Sequence, residues 1–273
     1  MKSRLACLMA ALLAAGFCFA SGDKAAAPPP PADTATTVTV VSGATPPTTS
    51  RQVVASTAWV GAMLEAAGLR PIRILAPLEL RHPAEYDFRP SDIQYVLAAD
   101  EVVWAGYEGF VRQLIQAAPI PAERLVAVYT DNTPPRLRQE VAALAERFGT
   151  QVWFQGWATR LDVLAGRLQA GARRVNANGI RLAVHVHYKA LAEWLGYTVV
   201  AEIGMGELTP QRLQAILDAK PDLVIDNWHM PNGAPLQGLV PRYVGLINFP
   251  GPLAPTGLLE VLEYNGRQLG LLE

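Results

Sequence analysis

The chain has 273 residues and only two cysteines, Cys7 and Cys18. Both fall in the first twenty residues, so no disulfide can staple the remainder, and stability must come from a hydrophobic core. A chain of this size can build one. Any metal bound beyond the leader would meet nitrogen and oxygen donors, not thiolate. Basic clusters are missing too. The 23 Lys and Arg stand against 24 Asp and Glu, with no Lys/Arg-rich block, which disfavours nucleic-acid binding, since phosphate contacts need clustered basic residues. After residue 20 no apolar run is long enough to cross a bilayer. There is no HExxH, no Gly-x-Ser-x-Gly and no other catalytic signature. An exported zinc-dependent hydrolase would also need three protein ligands, an open coordination position and a base. That reading is the weakest, and the chain is expected not to be an enzyme.

The start of the chain has the character of a secretory signal peptide. Lys2 and Arg4 precede an apolar run from Leu5 to Phe19, and cleavage after Ala20 is expected. Lipid attachment at Cys18 is the alternative, although Phe17 before it is too large for a good lipobox. Removing residues 1–20 takes away two positive charges and moves the formal charge from −1 to −3. The expected location is the periplasm or the outer face of the cytoplasmic membrane. Residues 21–50 are rich in Ala, Pro and Thr, with prolines at 28–31 and 46–47. Such a stretch buries little and reads as a disordered lead-in, with residues 37–41 as a loosely attached strand.

From residue 51 short β-like runs alternate with helical ones. Strands are expected at 52–56, 72–75, 101–105, 124–129 and 151–154. After a helix at 157–173, marked by Leu161, Leu164 and Leu168, further strands are expected at 180–184, 197–202, 222–226 and 243–247. Ser91 to Gln94 reads as a capping box, Thr209 and Pro210 as a helix start, and 256–268 as a last helix. Strands alternating with helices predict an α/β fold of two lobes. Each is a mainly parallel sheet flanked by helices, and a connecting helix joins them with a ligand cleft between. The expected boundaries are 51–156 for the N-terminal lobe, 157–178 for the connection and 179–273 for the C-terminal lobe.

The four histidines, His82, His185, His187 and His229, all fall near expected strand ends. In open α/β sheets that edge is where ligands bind. Imidazole is the commonest metal-ligating side chain, so the four are the candidate metal ligands. His187 joins the set only if its ring faces the same way as that of His185. Asp226 and Glu108 are nearby carboxylates, each read first as a solvated or capping residue. Tyr86, Phe88, Trp153, Trp157 and Trp228 would supply stacking area for an organic solute.

Four stretches carry a resemblance to a known family: 83–92 (PAEYDFRPSD), 98–110 (AADEVVWAGYEGF), 185–197 (HVHYKALAEWLGY) and 257–269 (GLLEVLEYNGRQL). In their order and spacing they resemble the metal-specific solute-binding proteins of bacterial ABC transporters, the zinc and manganese uptake family, from about residue 50 to the end. The resemblance implies a divalent metal as cargo, Zn2+ first and Mn2+ as the alternative. It also implies an ABC-type permease in the membrane as partner, and a monomer. Family proteins commonly use three His and one carboxylate. In register, only His185 falls on a family ligand; the others fall on Ala84, on Gln151 and near Asn248. Gln151 and Asn248, with Asp226, are therefore candidate cleft-lining residues. The link of about 32 residues from Trp153 to His185 is shorter than the family's long helix implies. Two readings remain open. Either the site is rebuilt from His82, His185, His187 and His229, or the protein binds a metal chelate or a non-metal solute.

Overall fold

The structure, a computed structural model, describes residues 51–78, 80, 82–251 and 257–273. The expected signal peptide, the lead-in and the 37–41 strand lie outside these residues. No helix among the described residues is long and apolar enough to cross a membrane.

Among the described residues, eight strands form two four-stranded parallel sheets. In the first half these are β1 (Val53–Ala55), β2 (Ile72–Ile74), β3 (Glu101–Trp104) and β4 (Leu125–Ala127), in the order β2-β1-β3-β4. In the second they are β5 (Arg181–His185), β6 (Thr198–Ile203), β7 (Leu223–Asn227) and β8 (Arg242–Leu246), in the order β6-β5-β7-β8. Each lobe is thus wound in both directions from its middle, with a switch point between β1 and β3 and another between β5 and β7. A crevice opens at such points because the connections leave to opposite sides.

The helices are α1 (Ala58–Ala66), α2 (Pro90–Ala98), α3 (Gly109–Ala117), α4 (Pro134–Phe148) and α5 (Gln151–Arg174) in and after the first lobe. The second lobe adds α6 (Lys189–Trp194), α7 (Pro210–Asp218) and α8 (Leu258–Gln268). Strand residues alternate between two buried faces, as parallel sheets covered on both sides require. Val53, Ala55 and Val103 face an inner core, whereas Val54 and Val102 face an outer one under α2 and α3. In the second lobe Leu182, Val184, Leu223 and Ile225 face the inner core, and Ala183 and Val224 the outer one under α7. The inner core is continuous through both lobes: α1, α4, α5 and α8 all bury their apolar faces in it. From Ala58 to Leu64 every residue of α1 is buried, the pattern of a helix enclosed on all sides.

Two local expectations are corrected. Residues 151–154, expected as a strand, are the first turn of α5. Val152 is exposed there, while Phe154, Trp157, Leu161, Leu164 and Leu168 form one buried stripe at helical spacing. The β-prone side chains are overruled by this period and by Gly149, whose left-handed φ of 70° ends α4 and lets the next helix begin. The link between lobes is therefore a 24-residue helix, longer than the expected 157–173. The second correction concerns the capping box. α2 starts at Pro90, and the backbone N–H of Arg89 donates to Asp92 at 2.8 Å, so the carboxylate at the third helical position does the capping and Ser91 lies inside the helix. Thr209 behaves as expected, its hydroxyl accepting from the backbone N–H of Arg212 at 3.3 Å.

Candidate functional site

The carboxyl ends of the central strands of both sheets open on one cavity of about 400 Å³. Thr57 and Trp59 reach it after β1, and Tyr107 and Glu108 after β3. His187 reaches it after β5, and Asn227 and His229 at the end of β7. Outer-strand loops complete it with His82 after β2, Asn132 after β4, and Asn248 and Phe249 after β8. The volume falls within the range of small-molecule sites and far exceeds the ~30 Å³ of one water.

Three of the four candidate imidazoles line this cavity. His82 is half-buried in the loop before a single 3₁₀ turn at Pro83–Glu85. His187 is exposed to the cavity, and the desolvation it meets there lowers its pKa from the usual 6.5, with the neighbouring His185 adding to the effect. His229 is 3 % exposed. Its ring stacks on Phe249 at a centroid distance of 3.6 Å and meets the edge of Trp228 at 5.0 Å. Its backbone N–H donates to Asn227 Oδ1 at 2.9 Å, which fixes the turn leaving β7.

His185, the one candidate in register with a family ligand, is placed differently. It ends β5 with no exposure and does not line the cavity. Its Nδ1 accepts from the backbone N–H of His187 at 3.3 Å, and its Nε2 lies 3.1 Å from Asn232 Oδ1. Those two contacts define a neutral imidazole protonated on Nε2. Desolvation by burial is the main influence and lowers its pKa, while Asn232 and Asp226 oppose this. The rings of His185 and His187 stand 5.0 Å apart. Alternation along a strand would have aligned them, but the 3₁₀ turn Val186–Tyr188 begins directly after His185 and turns His187 outward. Among the described residues, no three His, Cys, Asp or Glu side chains stand close enough together to hold a metal.

The candidate cleft-lining residues separate in the same way. Asn248 lines the cavity. Gln151 does not; it is an exposed first residue of α5. Asp226 is fully buried beneath the loop that carries His229. Its carboxylate accepts from the backbone N–H of Asn227 at 2.8 Å, from that of Gly233 at 2.9 Å and from the hydroxyl of Tyr243 at 2.5 Å. Burial, then this hydrogen bond and charge, push the Tyr243 pKa far above its usual value, so the phenol stays a donor. An added Cβ at Gly233 would lie 3.1 Å from the Asp226 carboxylate and 2.9 Å from the tip of Ile203, so a side chain here would crowd the carboxylate.

Several lining residues escaped the sequence reading. The aromatics at the cavity are Trp59, Tyr107, Tyr129 and Phe249. By contrast Trp157 is a core residue, Trp153 covers Gly68, and Tyr86 and Phe88 pack on the outer core of the first lobe. Glu108 is 1 % exposed and holds the strand end by accepting from Ser56 Oγ at 2.7 Å and from the backbone N–H of Ala105 at 2.9 Å. Three buried polar atoms at the cavity have no hydrogen-bond partner among the described residues: Trp59 Nε1, Asn132 Oδ1 and Asn248 Oδ1. The signal for Trp59, Tyr107, Tyr129, Asn132 and Phe249 was their position shortly after a strand, the same rule that singled out the histidines.

No protein-family model matches the chain, and no curated protein matches it. Solved structures do match in fold. The laminin-binding protein Lmb of Streptococcus agalactiae, described as an adhesin with metal-transporting activity, superposes with a TM-score of 0.64 at 15 % identity, over 81 % of this chain and 99 % of that one. The periplasmic zinc-binding protein TroA from Treponema pallidum gives 0.64 at 14 % identity, over 82 % and 99 %. A cadmium-bound periplasmic metal-binding protein from Candidatus Liberibacter asiaticus gives 0.60 at 11 %, over 80 % and 98 %. The chain shares the two-lobed α/β fold of these proteins.

Proposed function

We propose that the chain is an extracytoplasmic solute-binding protein that captures a divalent metal, zinc first and manganese as the alternative, and delivers it as a monomer to an ABC-type permease. It performs no catalysis. The observation that carries this reading is the presence of His82, His187 and His229, from both lobes, on the wall of one cavity at the two switch points. The fold likeness to proteins described as zinc- or metal-binding supports it. Nitrogen-donor imidazoles suit zinc, and the lowered pKa of His187 keeps that ring neutral and ready to coordinate at pH 7. His185 and Asp226 act one step back. The first accepts from the backbone of His187, and the second clamps the loop that carries His229.

The test is metal content after equilibrium dialysis of the untagged chain, with zinc supplied both as the chloride and in a small-molecule zinc buffer. One zinc per chain is expected at neutral pH, with His229→Ala and His187→Ala each weakening retention about tenfold or more. A chain that retains no zinc from either source refutes the proposal.

A further inference from the structure

Cysteine is not the only source of sulfur in this chain. Three methionines follow residue 20, at 63, 205 and 230. Met63 has the usual task of a methionine and fills the inner core with no exposure. Met205 and Met230 belong to none of the three hydrophobic cores, and both line the cavity. Met205 is 58 % exposed in the loop after β6, and Met230 directly follows His229 in the loop after β7. Asn232 ties these two loops together. Its backbone N–H donates to the Met230 carbonyl at 2.8 Å, and its side-chain amide donates to the Met205 carbonyl at 3.3 Å. Its Oδ1 meets Nε2 of His185, the ring that holds the backbone N–H of His187. Met205, Met230 and His187 are therefore anchored to one another, with His229 beside Met230. Among the described lining residues, this second-lobe wall has no carboxylate. Glu85 and Glu108 stand on the first lobe, and both Glu108 oxygens accept hydrogen bonds there.

We propose that this wall binds a soft monovalent ion, Cu(I), through the thioethers of Met205 and Met230 and the imidazoles of His187 and His229. The proposal goes beyond the divalent reading and does not depend on it. Thioether sulfur is a soft, neutral donor that favours Cu(I), whereas the usual ligands of zinc are imidazole, thiolate and carboxylate. Placement outside every core leaves the two thioethers without a packing task, and a soft ion gives them one. A wall of neutral donors also suits the smaller charge, because taking an uncompensated charge out of water costs more for two charges than for one. Methionine turns about three bonds, so each sulfur can swing onto an ion that the imidazoles already hold. The ion enters and leaves as Cu(I), and no electron is transferred.

The probe is Cu(I) itself, supplied without oxygen as its coloured bicinchoninate complex and titrated with the untagged full chain. Loss of colour as the chain withdraws one Cu(I) is the expected result. Met205→Leu and Met230→Leu keep the apolar bulk, lie outside the cores and are checked for native circular dichroism; either alone suffices should the other fail to fold. Each is expected to weaken Cu(I) binding about tenfold, while zinc retention on dialysis changes by less than about twofold. A chain that withdraws no Cu(I) overturns the proposal. Variants that withdraw it as the parent does overturn it as well, since the imidazoles alone would then be the ligands. Equal losses of copper and zinc in the variants also overturn it, because the methionines would then shape the cavity and not ligate. Zinc retention by the parent is read separately. Copper held through the methionines by a chain that retains no zinc sustains this site and ends the divalent reading, and zinc retained by a chain that withdraws no copper does the reverse.

Discussion

Two imidazoles that are two positions apart in the chain have different tasks. His185 spends both ring nitrogens inside its lobe, on the His187 backbone and on Asn232, while His187 faces the cavity. Both have lowered pKa values, chiefly through desolvation. For a histidine this means that the unfolded chain binds the proton more readily than the folded one. The contribution to stability is present above the ordinary value of 6.5 and is lost as pH falls from there through the lower folded value. The metal-free protein is expected to lose thermal stability between pH 7 and pH 5, and His185→Gln should flatten that dependence; scanning calorimetry across this range checks it. Sequence placed all four histidines near strand ends; His185 ends β5, His187 and His229 lie two residues beyond β5 and β7, and His82 lies eight residues beyond β2. Which ring faces the cavity was not legible, because it depends on a 3₁₀ turn that starts at Val186 and breaks the strand alternation. The unmet Trp59, Asn132 and Asn248 were illegible as a group for a related reason. A missing partner is a property of three-dimensional surroundings, and nothing in the residue type announces it.

The Asp226 carboxylate braces both ends of the loop from Asn227 to Gly233. Asp226→Asn would turn an acceptor of three hydrogen bonds into a group that can meet only some of them, leaving at least one buried donor unmet. A loss of about 1–3 kcal/mol in unfolding free energy is expected, together with weaker zinc retention, because the loop also carries His229. Denaturant unfolding and metal dialysis measure the two effects. Along α5 the decisive contact is at Gly171, where an added Cβ would lie 2.1 Å from the backbone oxygen of Leu271. Alanine favours a helix by about 1 kcal/mol over glycine, so propensity alone predicts stabilisation by Gly171→Ala. The clash is with backbone, which cannot rotate away, and the structure predicts a lower melting temperature instead. Helix and strand types were mostly legible, since their periods of 3.6 and 2 differ. The exception, 151–154, failed because Val152, Trp153 and Phe154 look like a strand until Trp157 and Leu161 extend the helical stripe.

At the scale of the molecule, the two lobes share one inner core through α1, α4, α5 and α8. They are expected to unfold together, with near-coincident transitions by far-ultraviolet circular dichroism and by tryptophan fluorescence; two well-separated transitions would contradict a shared core. The two-lobed α/β class was legible from alternation of strands and helices. The strand orders β2-β1-β3-β4 and β6-β5-β7-β8 were not, yet they place the switch points, and therefore the cavity. The central claim is that this cavity, walled by His82, His187 and His229, captures a metal. Anomalous diffraction at the zinc edge, from crystals of the full chain grown with zinc, tests it most directly. A single strong peak inside the cavity, in contact with His187 and His229, is the predicted result. A zinc-saturated crystal with no peak in the cavity, or with metal only on the outer surface, would contradict the account.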